Sequence, residues 1–218
     1  MSATGRSAVR HPDDFYQTPN WAVLTLLKHT SPWLHSGRVL VPGCGKGAIL
    51  DAIYHSGQRD SCGLLGIEIN RYRARVARRT HEVRCGDFLA SPWTLHAEEI
   101  VMNPPYKLAR EFVEESLATV ERAGGTVHAL LRLGFLASLK RRNFWHQHPA
   151  DVLVLPQRPS FCYTFTCKPC KKKHQRPVGT KSSRCPRCGK KMDRTTTDAA
   201  DYGWFSWGPG PRGRITIA

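Results

Sequence analysis

No stretch of this sequence approaches the ~20 consecutive apolar residues that a membrane-crossing helix needs, and the segment from Met1 to Asp14 is polar and small, without the apolar centre of a secretion signal. An embedded or exported protein is therefore not expected, and a cytoplasmic one without a membrane partner is. Acid is also scarce. Seventeen Asp and Glu face 33 Lys and Arg, a formal net charge of +16. A basic surface can serve solubility alone, but a charge this large and this concentrated usually meets a polyanion, of which nucleic acid is the commonest. No internal repeat is present. A reducing compartment leaves little room for disulfides, so the eight cysteines are expected as thiols or metal ligands.

What is present reads as one α/β domain in 218 residues with an accessory module. Residues 1–14 read as a flexible leader, and Trp21 to Lys28 as a short helix. Short apolar runs at Arg38–Val41, Leu64–Ile69, Val83–Cys85, Ile100–Met102, Val127–Leu133 and Val152–Leu155 alternate with helical patterns at Ala48–Ser56, Arg71–Arg79, Leu108–Val120 and Phe135–His146. This alternation predicts a doubly wound, mostly parallel sheet with ligands beyond the carboxyl ends of its strands. Globular text resumes at Tyr202–Trp207, and Arg214–Ile217 reads as a last edge strand.

The first strand runs into Pro42-Gly43-Cys44-Gly45-Lys46-Gly47. Glycines at alternate positions let the backbone approach a ligand, and the helix start that follows attracts a carboxylate. A purely structural glycine turn would look the same. Lys46 does not precede Ser or Thr at the spacing of a phosphate-cradling loop. Glu68 ends the next strand, where an acid can accept ribose hydroxyls. NAD and S-adenosylmethionine both remain open on these residues. Asp87 with Phe88 suits an adenine ring, by hydrogen bond and by stacking.

Asn103-Pro104-Pro105-Tyr106 follows the fourth strand. Two prolines fix the backbone and remove two N–H donors, so carbonyls face the cleft as acceptors. Asn103 adds another, and Tyr106 can stack on a planar ring. Acceptors converging on one –NH2 suit methyl transfer to a planar amine and offer nothing for hydride transfer.

On these motifs the chain resembles the class I S-adenosylmethionine-dependent amino-methyltransferases, most closely the phage-type DNA adenine-N6 methyltransferases. The resemblance covers about Phe15 to Cys162 and resumes at Asp198 to Trp207. It implies a Rossmann-like sheet of seven strands, S-adenosylmethionine as cofactor, adenine in DNA as target (with RNA as the alternative), and a bacterial or phage setting. It carries Tyr16 and Thr18 over to the cofactor's methionine end, Pro42, Gly43, Gly45 and Gly47 to the cofactor turn, Glu68 to the ribose, and Asp87 and Phe88 to the adenine. Asn103, Pro104, Pro105 and Tyr106 become the catalytic motif. Leu131-Arg132-Leu133 with Phe135, and Arg158-Pro159-Ser160-Phe161, resemble family segments near the target base. One departure is Val41, where the family commonly has an acid before the proline.

The other departure is an insertion. Cys167-x-x-Cys170 and Cys185-x-x-Cys188, fourteen residues apart, have the spacing of a four-thiolate structural zinc site. Residues 167–195 are expected as an inserted zinc ribbon, flanked by a methyltransferase domain at 15–166 and 196–218. Between Lys168 and Arg194 stand eleven Lys or Arg and a single acid, Asp193. Zinc with four thiolates carries a formal −2, which leaves the insertion strongly basic. Lys171, Lys172 and Lys173 are expected to meet phosphates. Lys140, Arg141 and Arg142, with Arg158 and Phe161, are further candidates for nucleic-acid contact. A non-catalytic zinc-ribbon protein on the same scaffold is the competing reading.

Overall fold

The computed structural model describes residues 16–30, 37–57, 63–90, 96–159, 162–171, 173–177, 184–196, 200–209 and 213–218. The leader, Phe161 and Lys172 lie outside these. Helix α1 spans Asn20–Thr30. Strands and helices then alternate: β1 Val39–Pro42, α2 Ala48–His55, β2 Leu64–Glu68, α3 Arg71–Ala77, β3 Glu82–Cys85, β4 Glu99–Met102, α4 Ala109–Glu121, β5 Thr126–Arg132, α5 Arg142–Gln147 and β6 Asp151–Val154. Strands β7 Cys162–Thr166, β8 Lys173–Pro177 and β9 Asp193–Thr196 follow, then β10 Tyr202–Trp207 and β11 Ile215–Ile217.

Eight of these strands form one sheet in the order β11-β6-β10-β5-β4-β1-β2-β3. Every neighbouring pair is parallel except those of β10, which runs antiparallel to both β5 and β6. The sheet has eight strands, one more than the seven that the resemblance implies; the edge strand expected at Arg214–Ile217 is present as β11, exposed and paired with β6. The remaining three strands form a small separate sheet, β8-β7-β9, in the connection between β6 and β10. It begins at Cys162, ahead of the first clustered cysteine. Among the described residues, no helix is long and apolar enough to cross a membrane.

Strands buried on both faces explain the continuous apolar runs. Within β1, Val39 and Val41 face the α1–α3 layer, whereas Leu40 faces the α4–α5 layer. The same period-2 split separates Val101 from Ile100 and Met102, and Leu130 from Ala129 and Leu131. Trp204 pins α1 to the sheet by donating its indole N–H to the Ala22 carbonyl at 2.8 Å. Near the amino ends of the central strands, His128 lies between Ser206 Oγ (2.8 Å) and Glu99 Oε1 (3.3 Å), all three buried. That chain of polar groups crosses β10, β5 and β4 at the end of the sheet opposite the motifs.

One expected element differs. The pattern from Phe135 to His146 is not a single helix but two 3₁₀ turns, Leu133–Phe135 and Leu139–Arg141, followed by α5. The backbone is extended at Ser138. Arg141 donates from Nε to the Phe135 carbonyl (2.7 Å) and from Nη2 to that of Gly134 (3.0 Å), so a side chain serves acceptors that a continuous helix would have served itself.

Gly66, in β2, sits beneath the glycine turn. A Cβ there would come within 2.7 Å of Cys44 Sγ and 3.0 Å of Leu50 Cδ1. Gly66→Ala should therefore destabilise the chain by ~1–3 kcal/mol, as overpacking does. Urea unfolding of the single variant and of Gly66→Ala with Cys44→Ala checks this: the second substitution should recover part of the loss, and full additivity would show that the thiol is not the obstacle.

Candidate active site and cysteine cluster

The motifs converge at the carboxyl edge of the large sheet. Gly43, Gly45 and Gly47 all have positive φ, at 63°, 59° and 96°, which an L side chain rarely adopts. The turn is tied to β2 twice: Cys44 N–H donates to the Ile67 carbonyl at 3.0 Å, and Gly45 N–H donates to Glu68 Oε2 at 2.8 Å. The other Glu68 oxygen accepts from Asn70 N–H at 2.8 Å and faces Arg73 Nη1 at 3.8 Å. Glu68 is only 4% exposed. It thus holds the turn and the start of α3 together, and Asn70 completes that start by accepting from the backbone of Tyr72 and Arg73. Asp87 Oδ1 accepts from Leu89 N–H at 3.0 Å, and Phe88 is buried against Phe112 with centroids 5.4 Å apart.

Asn103 is engaged on both sides of its amide. Nδ2 donates to the Tyr16 carbonyl and to Thr18 Oγ1, each at 3.1 Å, and Oδ1 accepts from the Tyr106 hydroxyl at 3.0 Å. The expectation that this carbonyl stands open for a target amine needs adjusting, since a neighbouring hydroxyl already shares it. Pro104 is buried, and the Pro105 carbonyl accepts from Leu108 N–H at 2.9 Å. The Tyr106 ring stacks on Tyr16 at 5.8 Å and 24°, tilts against Tyr202 at 5.8 Å, and lies 5.2 Å below the Arg132 guanidinium.

Two cavities meet at this wall. The smaller, of about 150 Å³, is lined by Tyr16, Gly43, Glu68, Asp87, Phe88, Asn103 and Pro105, with Arg73 and Phe112 among the others. The larger, of about 450 Å³, is lined by Tyr16, Tyr106, Lys107, Arg132, Phe135 and Arg141 among others. Tyr16 belongs to both. Pro42, Gly45, Gly47, Thr18 and Pro104 support the walls rather than line them. Sequence reasoning gave no role to Lys107 or Tyr202, whereas Arg132 and Phe135 stand in a segment expected near the target base. Lys107 adjoins Tyr106 and was within reach of motif reading; Tyr202 comes from an antiparallel strand that no local pattern connects to the turn.

Of the outlying candidates that the structure describes, Arg141 lines the larger cavity and the others line neither cavity. Arg141 turns inward on Phe135, its guanidinium 4.5 Å from that ring, and burial lowers its pKa from the ordinary value. Lys140 and Arg142 are exposed beside it. Arg158 makes an exposed ion pair with Asp201 at 2.8 Å. Lys173 opens β8, and Lys171 takes a positive φ of 53° just after Cys170.

In the small module the sulfurs of Cys167, Cys170, Cys185 and Cys188 all lie within 4.8 Å of one another. Cys167 stands 3.4 Å from Cys188, and Cys170 stands 3.6 Å from Cys185 and 4.0 Å from Cys188. Sulfurs bound tetrahedrally at ~2.3 Å from one zinc stand ~3.8 Å apart, so the set fits such an ion. The second knuckle closes by two backbone bonds, Gly189 N–H to the Cys185 carbonyl and Cys185 N–H to that of Lys190, both 2.9 Å, with Met192 buried against the cluster.

No protein-family model and no curated protein matches the sequence. Solved structures do match the fold. A Listeria monocytogenes protein described as a class I S-adenosylmethionine-dependent methyltransferase aligns over 95% of this chain and 66% of its own, with a TM-score of 0.60 and 12% identity. The methyltransferase subunit of a type I restriction-modification system from Streptococcus thermophilus aligns over 94% of this chain and 47% of its own, with a TM-score of 0.62 and 14% identity. This chain has the class I methyltransferase fold. It spans less than two thirds of either relative. A TehB-like S-adenosylmethionine-dependent methyltransferase from Corynebacterium glutamicum is closer in length, with 87% of this chain and 88% of that one aligned at a TM-score of 0.50 and 13% identity.

The Cys44 thiol in the glycine turn is pushed up from 9.0 to about 12, first by burial and second by the nearby Glu68 carboxylate. The folded chain therefore keeps this proton where the unfolded chain loses it. Its contribution to stability is full below pH 9 and is lost as the pH rises towards 12. Iodoacetamide at pH 8.5 should leave Cys44 unmodified in the folded protein and alkylate it readily in urea, as read by peptide mass spectrometry. Rapid alkylation of the folded chain would contradict the shift.

Proposed function

We propose that the chain is an S-adenosylmethionine-dependent methyltransferase acting on the exocyclic amine of adenine in DNA. The observation that carries this reading is the pair of cavities sharing the Asn103–Tyr106 wall and Tyr16. The smaller cavity has acids at the ends of two strands, as a positively charged adenosyl cofactor requires. The larger has aromatic rings and cations, as an anionic strand with planar bases requires. The methyltransferase subunit of a type I restriction-modification system has the same fold, which favours DNA over RNA as the target.

The residues fit the cofactor. Glu68 has two oxygens at the edge of the smaller cavity, and a carboxylate keeps lone pairs beyond the contacts it already makes. The Gly43 position, at positive φ, would bring a Cβ no closer than 3.7 Å to Phe112, so the turn is constrained by backbone conformation more than by crowding. When bound, S-adenosylmethionine supplies a methyl group on a sulfonium. The chain's own part is to hold the amine. A base inside a duplex cannot reach this wall, so the nucleotide must leave the stack. Tyr106 offers a ring face, and Asn103 Oδ1 and the Pro104 carbonyl offer acceptors for the two amine hydrogens. Held by these acceptors, the amine would take the methyl group that the sulfonium gives up and would pass its proton to solvent. No side chain is required as a base, and orientation can supply roughly 7–11 kcal/mol of the barrier.

The cysteine cluster is read as a structural zinc site. The inserted unit then runs from β7 to β9, wider than the segment between the cysteines, and its lysines and arginines are candidates for phosphate contact. One zinc per chain should be found by elemental analysis. Cys185→Ser should lower that content while leaving the helical circular dichroism of the large domain in place. A metal-free wild-type chain with an ordered ribbon would end this reading.

Asn103→Ala should abolish tritium transfer from labelled cofactor while leaving cofactor affinity within a few-fold. Retention of most activity would overturn the assignment. Tyr106→Ala should weaken capture of the base by ~1–3 kcal/mol, as loss of a stacking ring does. Tyr106→Phe should cost much less, because the ring stays and Asn103 Oδ1 is only relieved of a donor. DNA, RNA and protein offered as acceptors in the same assay separate the substrate classes.

A further inference from the structure

Leu139 is 92% exposed, the most open of the large apolar side chains among the described residues. A single exposed leucine is ordinary on a protein surface. The support beneath this one is not. It stands on a loop, residues 134–141, whose two ends are held at the rim of the larger cavity. Gly134, Phe135 and Arg141 line that cavity, and Arg141 closes the loop on itself through the Phe135 and Gly134 carbonyls at 2.7 and 3.0 Å. Phe135 is anchored in turn by edge contacts with Trp145 (5.6 Å), Phe144 and Phe205 (both 6.2 Å). The 3₁₀ turn that carries Leu139 is closed by Arg141 N–H on the Ser138 carbonyl at 3.0 Å. The loop is thus braced at its ends and turned at its tip, and the tip presents Leu139, with Leu136 also exposed on the same loop. An apolar group displayed on a braced turn loses little freedom when a partner covers it. The surrounding charge selects that partner. Lys140 and Arg142 are exposed just after Leu139, and no Asp or Glu occurs between Glu121 and Asp151. A nucleic-acid duplex has the matching profile, phosphates outside and stacked rings within.

A nucleotide that leaves the stack opens a gap, and an apolar side chain inserted between base steps offsets the stacking that is lost. We propose that Leu139 fills the gap left in duplex DNA by the nucleotide that enters the larger cavity, while Lys140 and Arg142 meet the phosphates beside it. Leu139 is then a positioning residue: it acts on the duplex and touches neither the target base nor the cofactor. The inference goes beyond the proposed function by assigning the opening of the duplex to a side chain outside both cavities, and it rests on that function for the nucleotide that leaves.

Leu139→Ala removes an exposed side chain, so the variant should fold as the parent does. Fluorescence anisotropy of the full chain with two duplexes of one sequence, one intact and one with a central abasic site, tests the wedge without the methyl donor. The parent chain should prefer the abasic duplex, whose gap is already open. Leu139→Ala should lose that preference, and Leu139→Met, which keeps a long apolar side chain, should retain it. Tritium transfer from labelled cofactor to DNA free of base methylation, offered as duplex and as heat-denatured strands, gives a second readout. Leu139→Ala should lower kcat/KM on the duplex by about tenfold or more, because part of the unstacking cost returns to the barrier. Transfer to the denatured strands should be nearly unaffected. Ile215→Ala, an exposed apolar residue on β11, should change neither readout. A parent chain without abasic preference, a preference kept in Leu139→Ala, or equal losses on duplex and strands would each overturn the proposal. The abasic comparison decides alone if denatured strands are not methylated. The two readings also separate. An abasic preference that depends on Leu139, in a chain that methylates neither form of DNA, removes the methyltransferase reading and leaves the wedge. Duplex methylation that Leu139→Ala does not alter removes only the wedge.

Discussion

The Asn103 side-chain amide makes three hydrogen bonds, and they tie together two parts of the chain far apart in sequence: two run to the segment of Tyr16 and Thr18, and the third to Tyr106 in its own turn. An amide has four hydrogen-bonding positions, two donors and two lone pairs. Three are filled by the chain, and by that count a lone pair on Oδ1 is left. The donors are the constraint that matters. Because both N–H groups are committed to the Tyr16–Thr18 segment, the amide cannot flip to present its nitrogen, and its oxygen is held towards Tyr106. The same bonds set Tyr16 between the two cavities. An aspartate here would offer no donors and would release that segment, so an amide is the side chain this geometry needs.

That arrangement depends on strands ending together. β1, β2, β4 and β5 are parallel neighbours, so Gly43, Glu68, Asn103 and Arg132 leave the same edge of the sheet. β10 is the exception that completes the site. Running antiparallel, it pairs Tyr202 with Arg132 across the register and begins at the edge where the parallel strands end. Its first residue thus joins the aromatic group around Tyr106. The basic module sits in the connection between β6 and β10, the strand whose Tyr202 meets Tyr106.

Much of this edge was legible in the sequence because it is local. Apolar runs gave the strands, and the glycine turn, Glu68, Asp87 and Asn103–Tyr106 each follow a strand at once. The cysteine spacing gave the cluster for the same reason. What was not legible depends on contacts between distant segments. The pattern from Phe135 to His146 has helical spacing, yet Arg141 reaches back to the Gly134 and Phe135 carbonyls and the backbone extends at Ser138. Arg141 looked like one of three surface cations, and only Lys140 and Arg142 point outward. Nor could spacing reveal that the Asn103 carbonyl is shared with Tyr106, because nothing in the four-residue motif states which way the amide faces. The edge strand expected at Arg214–Ile217, by contrast, is present as β11, three exposed residues paired on one side only.

The two cavities also differ in charge, and the difference bears on how they work together. The smaller has Glu68 and Asp87 on its walls, with Arg73 beside Glu68. The larger has three cations and no described acid. Opposite charges placed this close attract any ligand pair in which the donor is cationic and the acceptor strand anionic, and they penalise the reversed pair. Electrostatics of this kind gives orientation and encounter rate more than affinity. Between the two lies a wall of stacked tyrosines that carries no formal charge. On the proposed function, a thioether product would have lost the positive charge that suits the acidic cavity, so its hold there would weaken once the methyl group had moved. The asymmetry that would bring the proposed reactants together would then favour release of the spent cofactor.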